Sequence, residues 1–316
     1  MHGLRTGLRF GRLRDYGIVV SFVALFVTLS LASDVFLTWA NLTNILDQWA
    51  PIGIMACAAT LVIVAGGFDL SVGAIFAVAG IVAAKVANTS SPTLGFLAAL
   101  AVGLALGVGN GLLTTVGRIN SFVGTLASSF MIRGFALVLS GGFLVTVDNP
   151  SFQTLGSGEF LGVTYPVYIF LAFALLTAFL LMYTTFGRYV YAAGGNPAAA
   201  WLSGVRVNRI RVATFALSGL SAALAGIIVS SRISTGQADA GIGIEFSVIA
   251  AVVIGGTSIY GGEGAIWRTI LGVLFLAMIG NGFNLLDIDP TYQQIIQGAI
   301  ILAAVAVDAW SRPRPT

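Results

Sequence analysis

The sequence predicts an all-α polytopic membrane protein with about ten transmembrane helices, and three observations support this fold class. Hydrophobic residues make up 57% of the 316 residues, and the mean hydropathy is +0.97, far above that of a water-soluble domain. Apolar stretches of about 20 residues recur along the chain, each long enough to cross a hydrocarbon core about 30 Å thick. Only 9% of residues are charged, so residues 1–316 are interpreted as one transmembrane domain without a separate soluble domain.

Ten segments have the length and composition of spans. In chain order they cover 16–34, 47–66, 70–87, 94–116, 120–140, 165–184, 212–232, 244–259, 265–283 and 292–309. The first segment follows a basic opening, as the core of a signal peptide does. Its apolar run from Tyr16 to Ala32 is long enough to span and many spans follow, so we predict a retained first helix.

The charged residues predict the orientation. An even number of crossings puts the tails 1–15 and 310–316 on the same side, together with the loop 185–211. Twelve of the fifteen basic residues fall on that side: Arg5, Arg9, Arg12, Arg14, Arg118, Arg188, Arg206, Arg209, Arg211, Arg268, Arg312 and Arg314. Basic residues favour the cytoplasmic face, so both termini are predicted to be cytoplasmic. The opposite connections carry Asp34, Asp148, Glu159, Asp239, Asp287 and Asp289, with Lys85 and Arg232 as exceptions.

Charge and residue content exclude several other functions. The net charge of +3 comes from residues scattered at membrane boundaries, which does not indicate a nucleic-acid partner. Cys57 is the one cysteine and His2 the one histidine, so the chain can form neither an internal disulfide nor a His/Cys metal cluster. No GxxxxGK[ST] phosphate-binding loop occurs, so energy for any transport must come from a partner or an ion gradient.

Small residues predict close helix packing. Forty of the 316 residues are glycine, near twice the usual share of roughly 7%. On the fourth and seventh spans, small residues recur every fourth position, where neighbouring backbones can approach closely. These positions are Gly103, Gly107, Gly111, Gly219, Ala222, Ala223 and Gly226.

Two glycine-rich interruptions predict broken helices. The stretches are VAGGFDLSVGA at 64–74 and VIGGTSIYGGEGA at 253–265. A helix breaks within a membrane only where protein or water satisfies the freed backbone groups. Broken helices of this kind are typical of transporters.

A few polar residues fall within the predicted spans. A charge at the bilayer centre costs about 2.5–3.5 kcal/mol, so Arg133 is expected to face protein or water. Asp69 is a candidate counter-ion, but Arg133 lies roughly 20 Å further along its helix, so pairing requires 66–73 to re-enter the membrane. Candidate residues of a translocation pathway are Asp69, Ser71, Arg133, Asn281, Phe283 and Asn284.

The loop between spans six and seven contains a short helix at 196–204. Asn196 suits the N-cap, Pro197 the first helical position, and Gly204 a left-handed stop. Its small residues form too weak an apolar face to anchor it in lipid, although Trp201 could reach the interface. Such a knob among arginines suits docking to a cytoplasmic partner; the alternative is a connector held against headgroups. The candidate docking residues are Gly194, Asn196, Pro197, Ala199, Trp201, Ser203, Gly204 and Arg206.

Several motifs together resemble a known family, the permease subunits of bacterial ABC importers for ribose and related monosaccharides. This group also includes branched-chain amino acid permeases. The resemblance rests on LVIVAGGFDLSVGA (61–74), FMIRG (130–134), YAAGGNPAAAWLSGV with SGLSAALAGI (191–227), AAVVIGGTSIYGGEGA (250–265) and GNGFNLLDIDPTYQQIIQGAIILAAVAVD (280–308).

The resemblance implies a location and a set of partners. Two permease chains, identical or related, form a pathway in the bacterial plasma (inner) membrane, in contact with its lipid. A soluble binding protein delivers the sugar to the outer face. Separate ATPase subunits bind ATP and Mg and grip the coupling helix, here 196–204. The chain itself then carries no cofactor and is not an enzyme.

Two other functions compete with this one. An ion-coupled secondary transporter of a small polar solute would use buried acids, and among the spans Asp69 is the candidate. A membrane-embedded enzyme would need an intramembrane nucleophile with a base, or metal ligands, and the spans contain no histidine and no clustered carboxylates.

Overall fold

The computed structural model describes residues 3–289, 291, 292, 295, 296, 298, 299 and 302, with side chains from residue 17 onward. These residues form twelve α-helices: α1 Gly3–Ala32, α2 Trp39–Val64, α3 Val72–Thr89, α4 Pro92–Thr115, α5 Ser121–Ser140, α6 Thr154–Ser157, α7 Tyr165–Tyr183, α8 Thr185–Gly195, α9 Pro197–Leu202, α10 Val207–Ile233, α11 Ile244–Ile254 and α12 Ile266–Leu285. Four two-residue strands lie in the connections: β1 Val145–Thr146, β2 Glu159–Phe160, β3 Val163–Thr164 and β4 Thr235–Gly236. β1 pairs antiparallel with β4, and β2 with β3.

The predicted all-α polytopic class is confirmed. Within the described residues, seven helices are long and apolar enough to cross a membrane: α2, α3, α4, α5, α7, α10 and α12. The apolar part of α1, Gly17–Ala32, is shorter. The predicted tenth span, 292–309, and the tail 310–316 lie outside the described residues apart from isolated positions.

Two predicted spans differ from the structure. The second helix begins at Trp39, not at residue 47, because Thr38 caps it by accepting a hydrogen bond from the Asn41 amide. Polar residues in its first turns lower the mean hydropathy of this segment, so the hydropathy pattern does not identify where the helix begins. The predicted span 244–259 is helical only over Ile244–Ile254: α11 has 11 residues, about 16 Å at 1.5 Å each, and ends where the glycine-rich stretch 253–265 begins.

Helix α2 lies at the centre of the bundle. Its residues from Ile54 to Val64 are all buried, and it packs against α7, α10, α11 and α12. Helix α5 is the opposite case, since it contacts mainly α3 and α4 and leaves large apolar side chains such as Phe130 and Val138 exposed. The bundle therefore has a buried, mostly apolar interior around the second half of α2 and a broad apolar surface along α5.

Glycines bring α4 and α10 into backbone contact, which confirms the predicted packing of the fourth and seventh spans. A Cβ at Gly103 would lie within 3.0 Å of Ala223, and one at Gly107 within 3.0 Å of the Phe215 carbonyl oxygen. A Cβ at Gly219 would likewise meet the Gly103 carbonyl oxygen. Only glycine, which has no Cβ, permits the backbones of α4 and α10 to lie this close together.

Gly107→Ala is therefore expected to push α4 away from α10 and destabilise the bundle by about 1–3 kcal/mol, the usual cost of overpacking. Thermal unfolding of the detergent-solubilised protein should show a lower midpoint. Gly109→Ala on the same helix is the matched control, because nothing lies within 4 Å of its Cβ position. Equal midpoints for the two variants would contradict the packing described.

The break between α2 and α3 lies inside the bundle. Its backbone amides are satisfied by α5: Ser121 Oγ accepts from the Phe68 amide at 3.1 Å, and Thr125 Oγ1 from the Leu70 amide at 3.0 Å. A Cβ at Gly67 would touch the Phe215 ring of α10 at 3.3 Å. The prediction that protein covers this interruption is confirmed.

Candidate functional site

Helix α9 forms where the sequence predicts it, with the predicted ends. Asn196 Oδ1 accepts from the Ala199 amide at 3.0 Å, and Pro197 occupies the first turn. Gly204 follows the C-cap with φ of +84°, and its amide donates to the Trp201 carbonyl at 2.9 Å. The Val205 amide donates to the Ala200 carbonyl at 3.0 Å, which completes a Schellman motif.

One side of α9 is fixed and the other is exposed. Ala200 is buried in a small cluster with Ala193, Val205 and Val207. Trp201 is 70% exposed and Leu202 78% exposed. The other predicted docking residues of this helix are exposed too: Asn196, Pro197, Ala199, Ser203, Gly204 and Arg206. The "α9 knob", residues 196–204, thus presents an apolar tip on a rigid base.

A second helix precedes the knob and was not predicted. Residues Thr185–Gly195 form α8, with Thr184 Oγ1 accepting from the Gly187 amide at 3.3 Å. The glycines of this segment lower its helix propensity, so the sequence alone suggests a loop. The predicted loop 185–211 is therefore mostly helical.

The end of α8 meets both glycine-rich interruptions at one place, which we call the glycine junction: Gly66, Gly194, Gly195, Gly261 and Gly262. The Gly262 amide donates to the Val64 carbonyl at 2.8 Å. A Cβ at Gly194 would lie within 3.0 Å of that same carbonyl oxygen. A Cβ at Gly262 would lie 2.7 Å from the Gly195 Cα. The junction is backbone packed on backbone, and φ at Gly66, Gly261 and Gly262 is positive.

Two side chains tie the junction to its neighbours. Arg211, near the start of α10, donates from Nε to the Ala65 carbonyl at 3.1 Å and from Nη2 to the Ala193 carbonyl at 3.4 Å. The Tyr191 hydroxyl of α8 donates to the Gly264 carbonyl at 2.7 Å. Burial raises the pKa of the Tyr191 phenol, so the hydroxyl keeps its proton and remains a donor. Of the junction, only Gly194 was among the predicted site residues.

Arg211→Met is expected to loosen α8, because it removes two charge-assisted hydrogen bonds and leaves two carbonyls without that donor. Amide hydrogen exchange of residues 185–195 should accelerate about tenfold, which corresponds to roughly 1.4 kcal/mol of lost protection. Arg209→Met is the control, because Arg209 is exposed. Unchanged exchange in Arg211→Met would show that the guanidinium does not hold this helix.

The predicted pathway residues fall in three separate places. Asp69 is buried in the break, where Oδ1 accepts from the amide and the hydroxyl of Ser71. Asn110 Nδ2 donates to Ser71 Oγ at 2.7 Å and links this turn to α4.

Arg133 does not pair with Asp69. Its Nη1 donates to the Ala238 carbonyl at 2.9 Å and the Ala240 carbonyl at 3.3 Å, in the segment that leads into α11. The idea of a buried Asp69–Arg133 ion pair is therefore wrong. Although 66–73 does lie within the bundle, backbone carbonyls already satisfy the guanidinium further along α5.

Asn281, Phe283 and Asn284 lie near the end of α12, away from the break. Asn281 exchanges hydrogen bonds with Asn41 of α2. A cavity of about 140 Å³ lies beside this pair. The four α2 residues that line it were not among the predicted site residues: Asn44, Ile45, Gln48 and Trp49.

An ion pair lies at the end of the bundle opposite the α9 knob. Arg232 Nη2 lies 2.9 Å from Asp47 Oδ1, which also accepts from the Thr164 hydroxyl. The contacts join the last turn of α10, α2 and the start of α7. Arg232, an exception to the predicted charge segregation, is thereby neutralised.

A helical bundle with seven described helices long and apolar enough to cross a membrane, and with two glycine-rich breaks that meet at the end of α8, is typical of membrane transport proteins. Comparison with known proteins gives the particular group. The sequence profile described as "Branched-chain amino acid transport system / permease component" matches residues 41–305. The chain belongs to this permease family.

Curated relatives match nearly the whole chain. It is 43% identical over 296 residues to the ribose import permease protein RbsC of Escherichia coli K12, covering 91% of this chain and 92% of that protein. It is 41% identical over 302 residues to RbsC of Bacillus subtilis 168, covering 94% of each chain. It is 38% identical over 310 residues to the L-arabinose transport system permease protein AraH of E. coli K12, covering 98% of this chain and 94% of that protein. No solved structure matches the chain significantly.

Proposed function

We propose that the chain is the transmembrane permease subunit of an ATP-driven ABC importer that moves a monosaccharide, a ribose-like pentose, a hexose or a related polyol, into the cell. The 43% identity with a ribose import permease over 91% of the chain carries this proposal. The arabinose permease at 38% identity supports the same substrate class. Nucleotide hydrolysis belongs to a partner, which binds ATP and Mg, and this chain performs no covalent chemistry.

The proposed topology has ten crossings with both termini in the cytoplasm of a bacterial inner membrane. The α9 end then faces the cytoplasm, in keeping with the exposed Arg188, Arg206 and Arg209 near it. The other end faces outward and presents exposed acidic residues: Asp34, Asp148, Glu159, Asp239, Asp287 and Asp289. The tails 1–15 and 310–316 and the segment 185–211 are cytoplasmic in this arrangement.

Three protein partners follow from the proposal. A second permease chain, identical or related, covers part of the exposed apolar surface of α5, and lipid covers the rest. A cytoplasmic ATPase subunit grips the α9 knob, with Trp201 and Leu202 as anchors. A soluble sugar-binding protein docks on the outward end.

The contacts supply a mechanical path from the knob into the bundle. When the ATPases close, the α9 knob moves with α8, and the glycine junction passes the displacement to Val64 and Gly262 without intervening flexible side chains. Hydroxyls of Ser121 and Thr125 link the adjoining break to α5. Movement of the knob is thereby coupled to α5, and tilting of α5 with its neighbours alternates access.

Reconstitution tests the function. The chain, its ATPase and its binding protein in proteoliposomes should take up ribose or another monosaccharide when ATP is supplied, and uptake should persist when an ionophore dissipates the proton gradient. Uptake that stops with the ionophore and continues without ATP would instead establish the ion-coupled alternative.

A further inference from the structure

The cavity between α2 and α12 has an unusual lining for a bundle that is otherwise apolar. Its volume is about 140 Å³. Four carboxamide side chains and one indole line it, with small contributions from apolar neighbours. We call it the amide cavity, formed by Asn44, Gln48, Trp49, Asn281 and Asn284.

Helical spacing places the amides on facing surfaces. Asn44 and Gln48 are one turn apart on α2, and Asn281 and Asn284 are three residues apart on α12. Asn41 and Asn281 donate to each other at 3.2 Å and 2.7 Å, and this partly buried pair links the two helices beside the cavity. The cavity is therefore held open between two tied helices.

The lining has hydrogen-bonding capacity to spare. Gln48 Nε2 donates to Asn44 Oδ1 at 2.9 Å, which leaves Gln48 Oε1 and Asn44 Nδ2 with no partner among the described residues. Among the described residues, the side-chain carboxamide of Asn284 forms no hydrogen bond. Each carboxamide offers both donors and acceptors. The Asn44, Gln48 and Asn284 side chains are exposed in the described structure, where water or a polar solute can form hydrogen bonds with them.

The chemistry of the lining selects the solute. None of the described lining residues is ionisable, so a zwitterion would lose hydration at both charges with no counter-charge in return. Paired donors and acceptors match neighbouring hydroxyl groups, and the Trp49 ring offers an apolar surface for the carbon skeleton. The cavity volume of about 140 Å³ leaves room for a small solute.

We propose that the amide cavity is a contact site for the transported solute, and that it takes a neutral polyhydroxy compound of pentose or hexose size. This inference rests on the proposed function. The cavity lies at the same end of α2 as Asp47 and Arg232, the outward end in the proposed topology. A sugar released by the binding protein would reach these amides early in transport.

Substitution of the amides tests the site. Asn44→Leu combined with Asn284→Leu keeps the side-chain size and removes donors and acceptors on both helices. In the reconstituted complex, sugar imported per ATP hydrolysed should fall about tenfold. Thr43→Val is the control, because Thr43 lies on the same helix but does not line the cavity, and it should import within twofold of wild type. Import at the wild-type ratio by the double variant would overturn the inference.

Protection from labelling gives a readout that does not depend on transport. In a Cys57→Ala background, Asn284→Cys introduces a thiol at the cavity, and its reaction with a membrane-impermeant maleimide is timed. Millimolar D-ribose or L-arabinose should slow labelling several-fold, whereas L-leucine should not. Equal labelling rates with and without sugar would contradict the proposed contact site but would not contradict the proposed importer function. A wild-type complex that imports no monosaccharide would instead defeat the proposed function, and the site with it.

Discussion

Gly194→Ala is expected to abolish coupled transport, although it adds a single methyl group. The new Cβ would fall within 3.0 Å of the Val64 carbonyl oxygen and lie 2.7 Å from the Gly262 amide nitrogen. Both obstacles are backbone atoms, one at the end of α2 and one in the loop between α11 and α12, so no side chain can rotate away. Overpacking of this kind costs about 1–3 kcal/mol, or more where the backbone is fixed. Uptake per ATP hydrolysed should fall at least tenfold in proteoliposomes.

The neighbouring residue supplies the control. A Cβ at Gly195 would find only the Gly262 Cα at 3.8 Å, an ordinary van der Waals contact. Gly195→Ala should therefore transport nearly as wild type. If both alanine variants behaved alike, the junction would not be the rigid link between the knob and the bundle.

Gly204→Val is expected to separate ATP hydrolysis from uptake. Gly204 has φ of +84°, and nothing lies within 4 Å of its Cβ position, so the effect comes from backbone strain alone. The left-handed conformation costs about 1–2 kcal/mol for most residues and is rarer still for β-branched ones. That range corresponds to a factor of roughly 5–30 in the population of the native C-terminus of α9. Sugar import per ATP should decline by a similar factor.

Asparagine tolerates the left-handed conformation, so Gly204→Asn should keep most of the coupled uptake. Comparing the two variants distinguishes the effect of backbone strain at residue 204 from the effect of adding a side chain there. Normal coupling in Gly204→Val would count against the assignment of 196–204 as the docking helix.

Local signals predicted α9 almost residue by residue. Asn196, Pro197 and Gly204 each act within four residues of chain, and such short-range rules do not depend on the rest of the fold. The two interruptions were also predictable as breaks, since glycine pairs weaken a helix and the polar groups beside them need protein or water within the membrane. Their meeting was not predictable, because Val64, Gly194 and Gly262 are far apart in sequence and touch through backbone atoms that are identical in every residue type.

The sequence does carry a signal for the junction. Gly-Gly pairs occur at 66–67, 141–142, 194–195, 255–256 and 261–262. Three of these five pairs supply the residues of the glycine junction, where the absence of a Cβ lets backbones pack directly.

The polar residues were harder to place. Arg133 was expected to face protein, but its partners are carbonyls of an irregular segment more than 100 residues later, which no spacing rule encodes. The amides of α2 obscured the start of that helix, and the same residues line the cavity. A carboxamide side chain lowers the hydropathy of a segment by the same amount in a loop and in a helix that faces a polar cavity. Hydropathy alone therefore cannot distinguish these two positions without the fold.

The exposed apolar tip of α9 also has a consequence for the subunit before it assembles with its partners. An indole and an isobutyl group projecting together into water are the kind of surface that chaperones and quality-control proteases recognise. In the proposed importer, a copy made without its ATPase partner would keep this apolar surface exposed to water, and docking of the partner would cover it.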